Sequence, residues 1–313
     1  MSELTDRFDA LRERLERAVL RAGRAPGSVA LAAVSKTYGA AAVAELVRHQ
    51  RARSSGALCG ERAIFGESYM QEATAKMAQV AELLAHDNAG GAGEAACSPP
   101  PGMRAPDLER RRCPAAGSGR SPETSPLPGP HCIRRSSEAH PLPGWHFIGG
   151  LQRRKAGDAV GRFELIHSLD SLKLAVALQK AWEKQAAAVP SGAYGTEFAP
   201  QDVLVQVNVG RETQKSGVDP DELENLLNAV AAMRGLRVRG LMCVPPAAQE
   251  SGASRPWFIL LRRLRDEMEK RCGPALPVLS MGMSDDFEEA VEEGATLVRV
   301  GSLIFGPRQR PGG

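Results

Sequence analysis

The chain is 313 residues long and carries 40 Lys and Arg against 37 Asp and Glu, for a net charge of +3. That balance argues against nucleic acid or an anionic membrane as the main partner, and no apolar run approaches the ~18 residues that span a bilayer. Residues 87–144 hold 11 of the 22 prolines, 8 glycines and 3 of the 6 cysteines, so a body of 255 residues surrounds a block of different composition.

Leu4, Phe8, Leu11, Leu15 and Val19 recur at helical spacing and predict an amphipathic helix that ends near Gly23 and Pro26. Val29 to Val34 reads as a buried strand, residues 41–50 as a helix, and 51–62 as an irregular loop. Ala63-Ile64-Phe65 reads as a strand closed by Gly66, followed by a helix from Glu67 to Leu84 with Met70, Ala73, Met77, Val80 and Leu84 on one face. From Asp87 to Gly144 no period of 2 or 3.6 survives. Such a segment buries too little apolar surface to offset its ordering entropy and is expected to be disordered.

Periodicity returns with a strand at Trp145–Gly149, a strand at Leu165–His167 and a helix over 171–188. Asp202–Val209 is a valine-rich strand. Asp219-Pro220-Asp221-Glu222 carries a cap, a first-turn proline and a glutamate three residues after the cap, so a helix starts there with Leu223, Leu226, Leu227 and Val230 buried. Strand 238–244, helix 256–271, strand 278–280, helix 285–293 stopped by Gly294, and strand 297–300 complete the series.

Eight continuous apolar strands alternating with helices predict a parallel sheet covered on both faces, and at this size a single (β/α)8 TIM barrel. A doubly wound sheet fits less well, because Val34-Ser35-Lys36-Thr37 is not a glycine-rich turn. The organisation is therefore 1–86 as the first part of the barrel, 87–144 as an insertion, 145–307 as the rest and 308–313 as a tail. The insertion falls between a helix and the next strand, on the side opposite a barrel's chemistry.

Chemistry in a barrel belongs at the C-terminal strand ends. Lys36 follows the first strand, where partial burial would lower its pKa and favour Schiff-base formation, although a solvated loop lysine fits the same position. Ser280-Met281-Gly282-Met283-Ser284 runs from the seventh strand toward a helix start that Ser284 could cap, and Arg299, Gly301 and Ser302 end the eighth. Loops after strands 7 and 8 often hold phosphate in this fold. A Schiff-base lysine joined to a phosphate cradle asks for a phosphorylated aldehyde, and pyridoxal 5′-phosphate is one.

Ala33-Val34-Ser35-Lys36-Thr37, Phe65-Gly66-Glu67, His146-Phe147-Ile148-Gly149 with Leu151-Gln152, Lys215-Ser216-Gly217, Gly240-Leu241-Met242, Ser280 to Asp285, and Val298 to Ser302 with Ile304-Phe305-Gly306 are similar in order and spacing to the pyridoxal phosphate homeostasis protein family, also called YggS-like. The resemblance covers nearly the whole body. It implies a barrel of the alanine-racemase N-terminal type without a C-terminal β domain, with the cofactor held by Lys36 as a Schiff base. It implies contacts from Ser280, Gly282, Met283 and Ser284 and from Arg299, Gly301 and Ser302. His146, Met242 and Asn208 complete the expected cofactor-binding set. Ser68 stands where the family usually has Asn, which offers two donors instead of one.

A racemase of this type needs a second acid/base, and of Tyr38, Tyr69 and Tyr194 only Tyr38 has a position near the mouth. The expected role is thus a non-catalytic carrier in intracellular cofactor homeostasis, monomeric or weakly dimeric, with pyridoxal-phosphate-dependent apo-enzymes as recipients. The alternatives are a racemase or decarboxylase using Lys36 as base, or a Schiff-base aldolase. The acidic N-terminus and the absence of Cys-x-x-Cys pairs point to the cytoplasm, with a mitochondrial pool as a second location. Cys97, Cys113, His131, Cys132 and His140 lack the close pairs of a structural zinc site, so no metal is expected.

Overall fold

The computed structural model describes residues 2–54, 62–89, 142–188, 198–247, 252–273 and 275–307. Eight parallel strands close into a barrel in sequence order: β1 (Ala30–Val34), β2 (Ile64–Glu67), β3 (Gly144–Phe147), β4 (Leu165–Leu169), β5 (Gln201–Gln206), β6 (Leu236–Met242), β7 (Val278–Ser280) and β8 (Leu297–Val300). Closure comes from β1 against β8, with Ala33 opposite Val300. Helices α1 (Glu3–Arg21), α2 (Ala40–Ser54), α3 (Met70–Ala89), α4 (Ala156–Ala159), α5 (Leu172–Ala188), α6 (Leu223–Ala231), α7 (Arg255–Cys272), α8 (Phe287–Glu292) and α9 (Ser302–Phe305) surround it.

The two faces of each strand explain the apolar runs. Phe65, Phe147, Ile166, Val203, Leu241 and Val298 point outward into the layer under the helices. Ala32, Leu165, Leu204, Met242, Val278 and Leu297 fill the barrel interior as a separate apolar cluster. Both faces are covered, so β3, β4, β7 and β8 are buried at every position. Gly240 has φ +155°, and a Cβ there would stand 1.8 Å from the carbonyl oxygen of Val278. Only glycine lets β6 pass β7 at that point.

Most predicted elements stand where the pattern put them, and β7 and β8 match residue for residue. Several boundaries move. Of the loop expected over 51–62, residues 51–54 belong to α2 and 55–61 lie outside the described residues. Gly66 does not close β2: it pairs with His146, and the strand continues to Glu67. The helix expected from Glu67 therefore starts at Met70, and it runs on to Ala89. Asp87, assigned to the insertion by composition, belongs to α3 because its carboxylate accepts from Arg48 at 2.7 Å. Gly144, also assigned there, opens β3 opposite Ile64. Residues 90–141 of the insertion lie outside the described residues, as do Tyr194 and the Cys97 to His140 group. Helices α4 and α9 are too short to leave a periodic signal.

Asp219 caps as its sequence predicts, accepting from the Asp221 N–H at 3.0 Å, but the first turn is a 3-10 turn over Pro220–Glu222 that leads into α6. Among the described residues, no helix is long and apolar enough to cross a membrane, and no group of three or more His, Cys, Asp or Glu side chains could hold a metal ion.

Candidate functional site

Strands β7, β8 and β1 are consecutive neighbours, so their C-terminal loops meet on one face. Lys36 lies two residues beyond β1 and is half-buried. A Cβ on Gly301 would lie 3.1 Å from the Val34 carbonyl oxygen, which puts the loop after β8 directly against the end of β1. Ser302 Oγ donates to Ser284 Oγ at 2.8 Å and joins the loops after β7 and β8. The Arg299 N–H donates to the Gly282 carbonyl at 3.0 Å. Gly282 has φ +90°, and a Cβ there would stand 2.6 Å from Ala290 Cβ, so the turn into α8 can close only on glycine. The structure thus assembles Lys36, Gly282, Ser284, Arg299, Gly301 and Ser302 on one side of the mouth, with Met283 exposed beside them.

Ser284 does not cap the following helix. Asp286 precedes α8, and its carboxylate accepts the Met283 N–H at 2.7 Å. The Ser284 hydroxyl is left to face Ser302.

Below the mouth runs a buried polar column. Arg299 donates to Ser280 Oγ at 2.7 Å and to the Cys243 carbonyl at 2.9 Å. Ser280 Oγ lies 3.0 Å from His167 Nδ1, and His167 Nε2 lies 3.1 Å from His146 Nδ1. One proton order satisfies the set: Ser280 donates to His167, and His167 donates to His146. Burial drives the His146 pKa down to about 3, with a smaller push from Arg62. Burial also drives His167 well below its ordinary value, helped by His146 and Arg299, so both rings are neutral. Burial lowers the Arg299 pKa as well, yet guanidinium remains charged in proteins. Among the described residues, Arg299 has no carboxylate within ion-pairing distance.

Met242 belongs to the apolar interior cluster and forms floor, not a polar contact. Asn208 follows β5, where its side-chain amide donates to the Glu212 carbonyl at 2.8 Å and its Oδ1 accepts the Glu212 N–H at 3.2 Å. Its visible work is to close its own loop. Tyr38, the tyrosine nearest Lys36 in sequence, donates its hydroxyl to the Gly306 carbonyl at 2.8 Å and stacks on Phe305. It is a structural tie between the first and last loops. An open cavity of about 720 Å³ beside the mouth is lined by residues of the 151–154 and 170–174 segments and holds none of the predicted cofactor residues.

A second polar cluster escaped the sequence reading. Lys76 Nζ donates to Glu67 Oε1 at 2.8 Å, to Glu72 Oε1 at 3.0 Å and to the Ser35 carbonyl at 2.6 Å. The signal was available: Lys76 is three residues after Ala73 and four before Val80, on the apolar face of α3. Burial raises the Glu67 carboxyl above the usual range, and the Lys76 and Ser35 hydrogen bonds offset this only in part.

A family model described as the alanine racemase N-terminal domain matches residues 7–309. The chain is 33% identical over 308 residues to the pyridoxal phosphate homeostasis protein of Pseudomonas aeruginosa, covering 98% of this chain and 97% of that one. It is 31% identical over 310 residues to the protein of the same name from Escherichia coli K12, covering 98% of each. Among solved structures, PipY of Synechococcus elongatus PCC7942 with PLP bound aligns with a TM-score of 0.62 at 26% identity, over 97% of this chain and all of that one. An alanine racemase of Clostridium difficile 630 aligns at 0.55 with 9% identity, over 96% of this chain and 57% of that one, a likeness of fold alone. The chain belongs to the alanine racemase N-terminal domain family, among the pyridoxal phosphate homeostasis proteins.

Proposed function

We propose that the protein binds pyridoxal 5′-phosphate at the barrel mouth, attached through the Lys36 amine, and serves cofactor homeostasis without turnover of its own. The observation that carries this reading is Arg299, a buried cation bonded to two neutral acceptors and paired with no carboxylate among the described residues. An unpaired buried charge is costly, and an anionic group arriving from the mouth offsets that cost. PipY, solved with PLP bound, and the homeostasis-protein relatives support the same ligand.

When bound, the cofactor supplies an aldehyde that condenses with a primary amine. Lys36 is the amine. Gly282, Ser284, Gly301 and Ser302 offer backbone N–H donors for the phosphate and Ser284 a hydroxyl, whereas the Met283 N–H is committed to Asp286 and the Ser302 hydroxyl to Ser284. The His146–His167–Ser280 column holds the guanidinium of Arg299 in place and brings no charge of its own. The apolar cluster around Met242 closes the barrel beneath and excludes water from below.

The carrier reading rests on what faces Lys36. Both histidines are neutral and bonded to partners inside the barrel, and the Tyr38 hydroxyl is committed to Gly306. None of these three is placed as a second acid/base. Tyr69, two residues beyond β2 and exposed, lies on the strand-end face, contrary to the sequence expectation, and is the tyrosine that the turnover test must address. Recipients of the released cofactor would be apo-enzymes that use it.

Wild type and Lys36→Ala, each titrated with pyridoxal 5′-phosphate, provide the test. A visible absorption band on wild type, absent in Lys36→Ala and trapped on Lys36 by borohydride, is the expected result. A band that survives Lys36→Ala overturns the attachment. Racemisation or decarboxylation of amino acids that depends on Lys36 overturns the carrier role.

A further inference from the structure

Lys36 sits between two residues that are each held from outside the barrel. On one side, the Ser35 hydroxyl donates to Glu67 Oε1 at 2.6 Å, and the Ser35 carbonyl accepts from Lys76 Nζ at 2.6 Å. On the other side, the Thr37 N–H donates to Glu72 Oε1 at 2.6 Å. The three side chains are themselves joined, since Lys76 bonds both glutamates. Glu67 is fully buried and Lys76 is 4% exposed, whereas the Glu72 side chain is 32% exposed.

We infer that Glu67, Lys76 and Glu72 form a clamp that fixes the backbone on both sides of Lys36 and so aims its amine at the cofactor. They are positioning residues, and this role rests on the reading that Lys36 is the attachment point. Two observations separate the clamp from ordinary packing. Thr37 is β-branched yet has φ +70°, a left-handed conformation that such residues rarely adopt unless their surroundings impose it. A turn closed by the Tyr38 N–H donating to the Ser35 carbonyl at 3.1 Å puts Thr37 at its positive-φ position, and Glu72 ties that strained residue down by accepting its N–H. The core also keeps a buried carboxylate and ammonium between β2 and α3, where apolar residues of similar size would stabilise the fold at least as well. Both features converge on the two neighbours of one lysine. Among the described residues Glu67 Oε2 has no hydrogen-bond partner, so the cluster is not built for maximum stability.

Full-length protein and pyridoxal 5′-phosphate itself test the inference. Glu72→Ala removes the acceptor for the Thr37 N–H from a partly exposed helix position. Its expected effect is an apparent Kd for the Lys36-dependent band about tenfold higher, the scale of loss from a misaimed reacting group, at a nearly unchanged melting temperature. Amide exchange at Thr37 in the cofactor-free protein should rise at least about tenfold in the same variant. Glu72→Gln keeps a carbonyl oxygen and should restore both readouts to within about twofold of wild type. The neutral double variant Glu67→Gln, Lys76→Met should weaken the band like Glu72→Ala. Should it fail to fold, the Glu72 pair decides alone. Wild-type affinity and exchange in Glu72→Ala, or no rescue by Gln, would overturn the clamp. Absence of any Lys36-dependent band in wild type is a different outcome, which overturns the attachment reading itself.

Discussion

His146 and His167 are bases sealed in a barrel interior, and acid should find them first. In the folded chain His146 holds its proton only below about pH 3, against 6.5 for a free imidazole. Between those values the unfolded chain binds more protons than the native one. Stability is therefore unaffected by this group above about pH 6.5, and falls as pH drops below it. The slope approaches ~1.4 kcal/mol per pH unit for each such histidine. Urea midpoints at pH 7.5, 6.5 and 5.5 should decline on this schedule. His146→Gln should start less stable, because His167 loses its partner, but decline more gently. Equal slopes for the two proteins would sink the account. Sequence marked His146 through its motif and His167 through its strand. It could not show that rings 21 residues apart meet at 3.1 Å, nor that Ser280 links them to Arg299, because that contact exists only once the barrel closes.

Among elements, β2 and α3 show where local patterns mislead. A glycine normally weakens a strand, so Gly66 looked like a stop. In the barrel it lies where a Cβ would meet Ile148 Cδ1 at 3.1 Å, and the small residue suits the crowding. Glu67 then looked like a first-turn helix residue, although its carboxylate is buried against Lys76. By contrast, β7 and β8 were legible to the residue because unbroken apolar runs between turn residues are what a strand covered on both faces requires. The buried pair makes its own prediction. Lys76→Met strands the Glu67 carboxylate and should destabilise the fold by roughly 3–5 kcal/mol. Adding Glu67→Gln removes the stranded charge and should recover most of that loss. Denaturant unfolding of the single and double variants checks this. A double variant no more stable than Lys76→Met would show that the damage came from lost packing, not from an uncompensated charge.

At the scale of the molecule, the alternation of eight strands with helices predicts the barrel, and parallel closure then decides which ends meet. Every strand runs the same way, so all strand starts share one face and all strand ends the other. Lys36, Ser280 and Arg299 follow or occupy strand ends. The described flanks of the proline-rich block are the end of α3 at Ala89 and the start of β3 at Gly144, where Arg62 donates to the carbonyls of Leu142 and Pro143. Those flanks belong to the face of strand starts. Strands of three to seven residues at about 3.3 Å each put roughly 10–23 Å of barrel between that face and the mouth. Cofactor binding should then be indifferent to what joins α3 to β3. Replacing residues 90–141 with a short Gly/Ser linker should leave the apparent Kd for pyridoxal 5′-phosphate within about twofold, because a loop closes on an entropy that varies only slowly with its length. Loss of the Lys36-dependent band in a shortened protein that still melts cooperatively would mean that the segment reaches the mouth after all, and the separation argued from strand direction would fail.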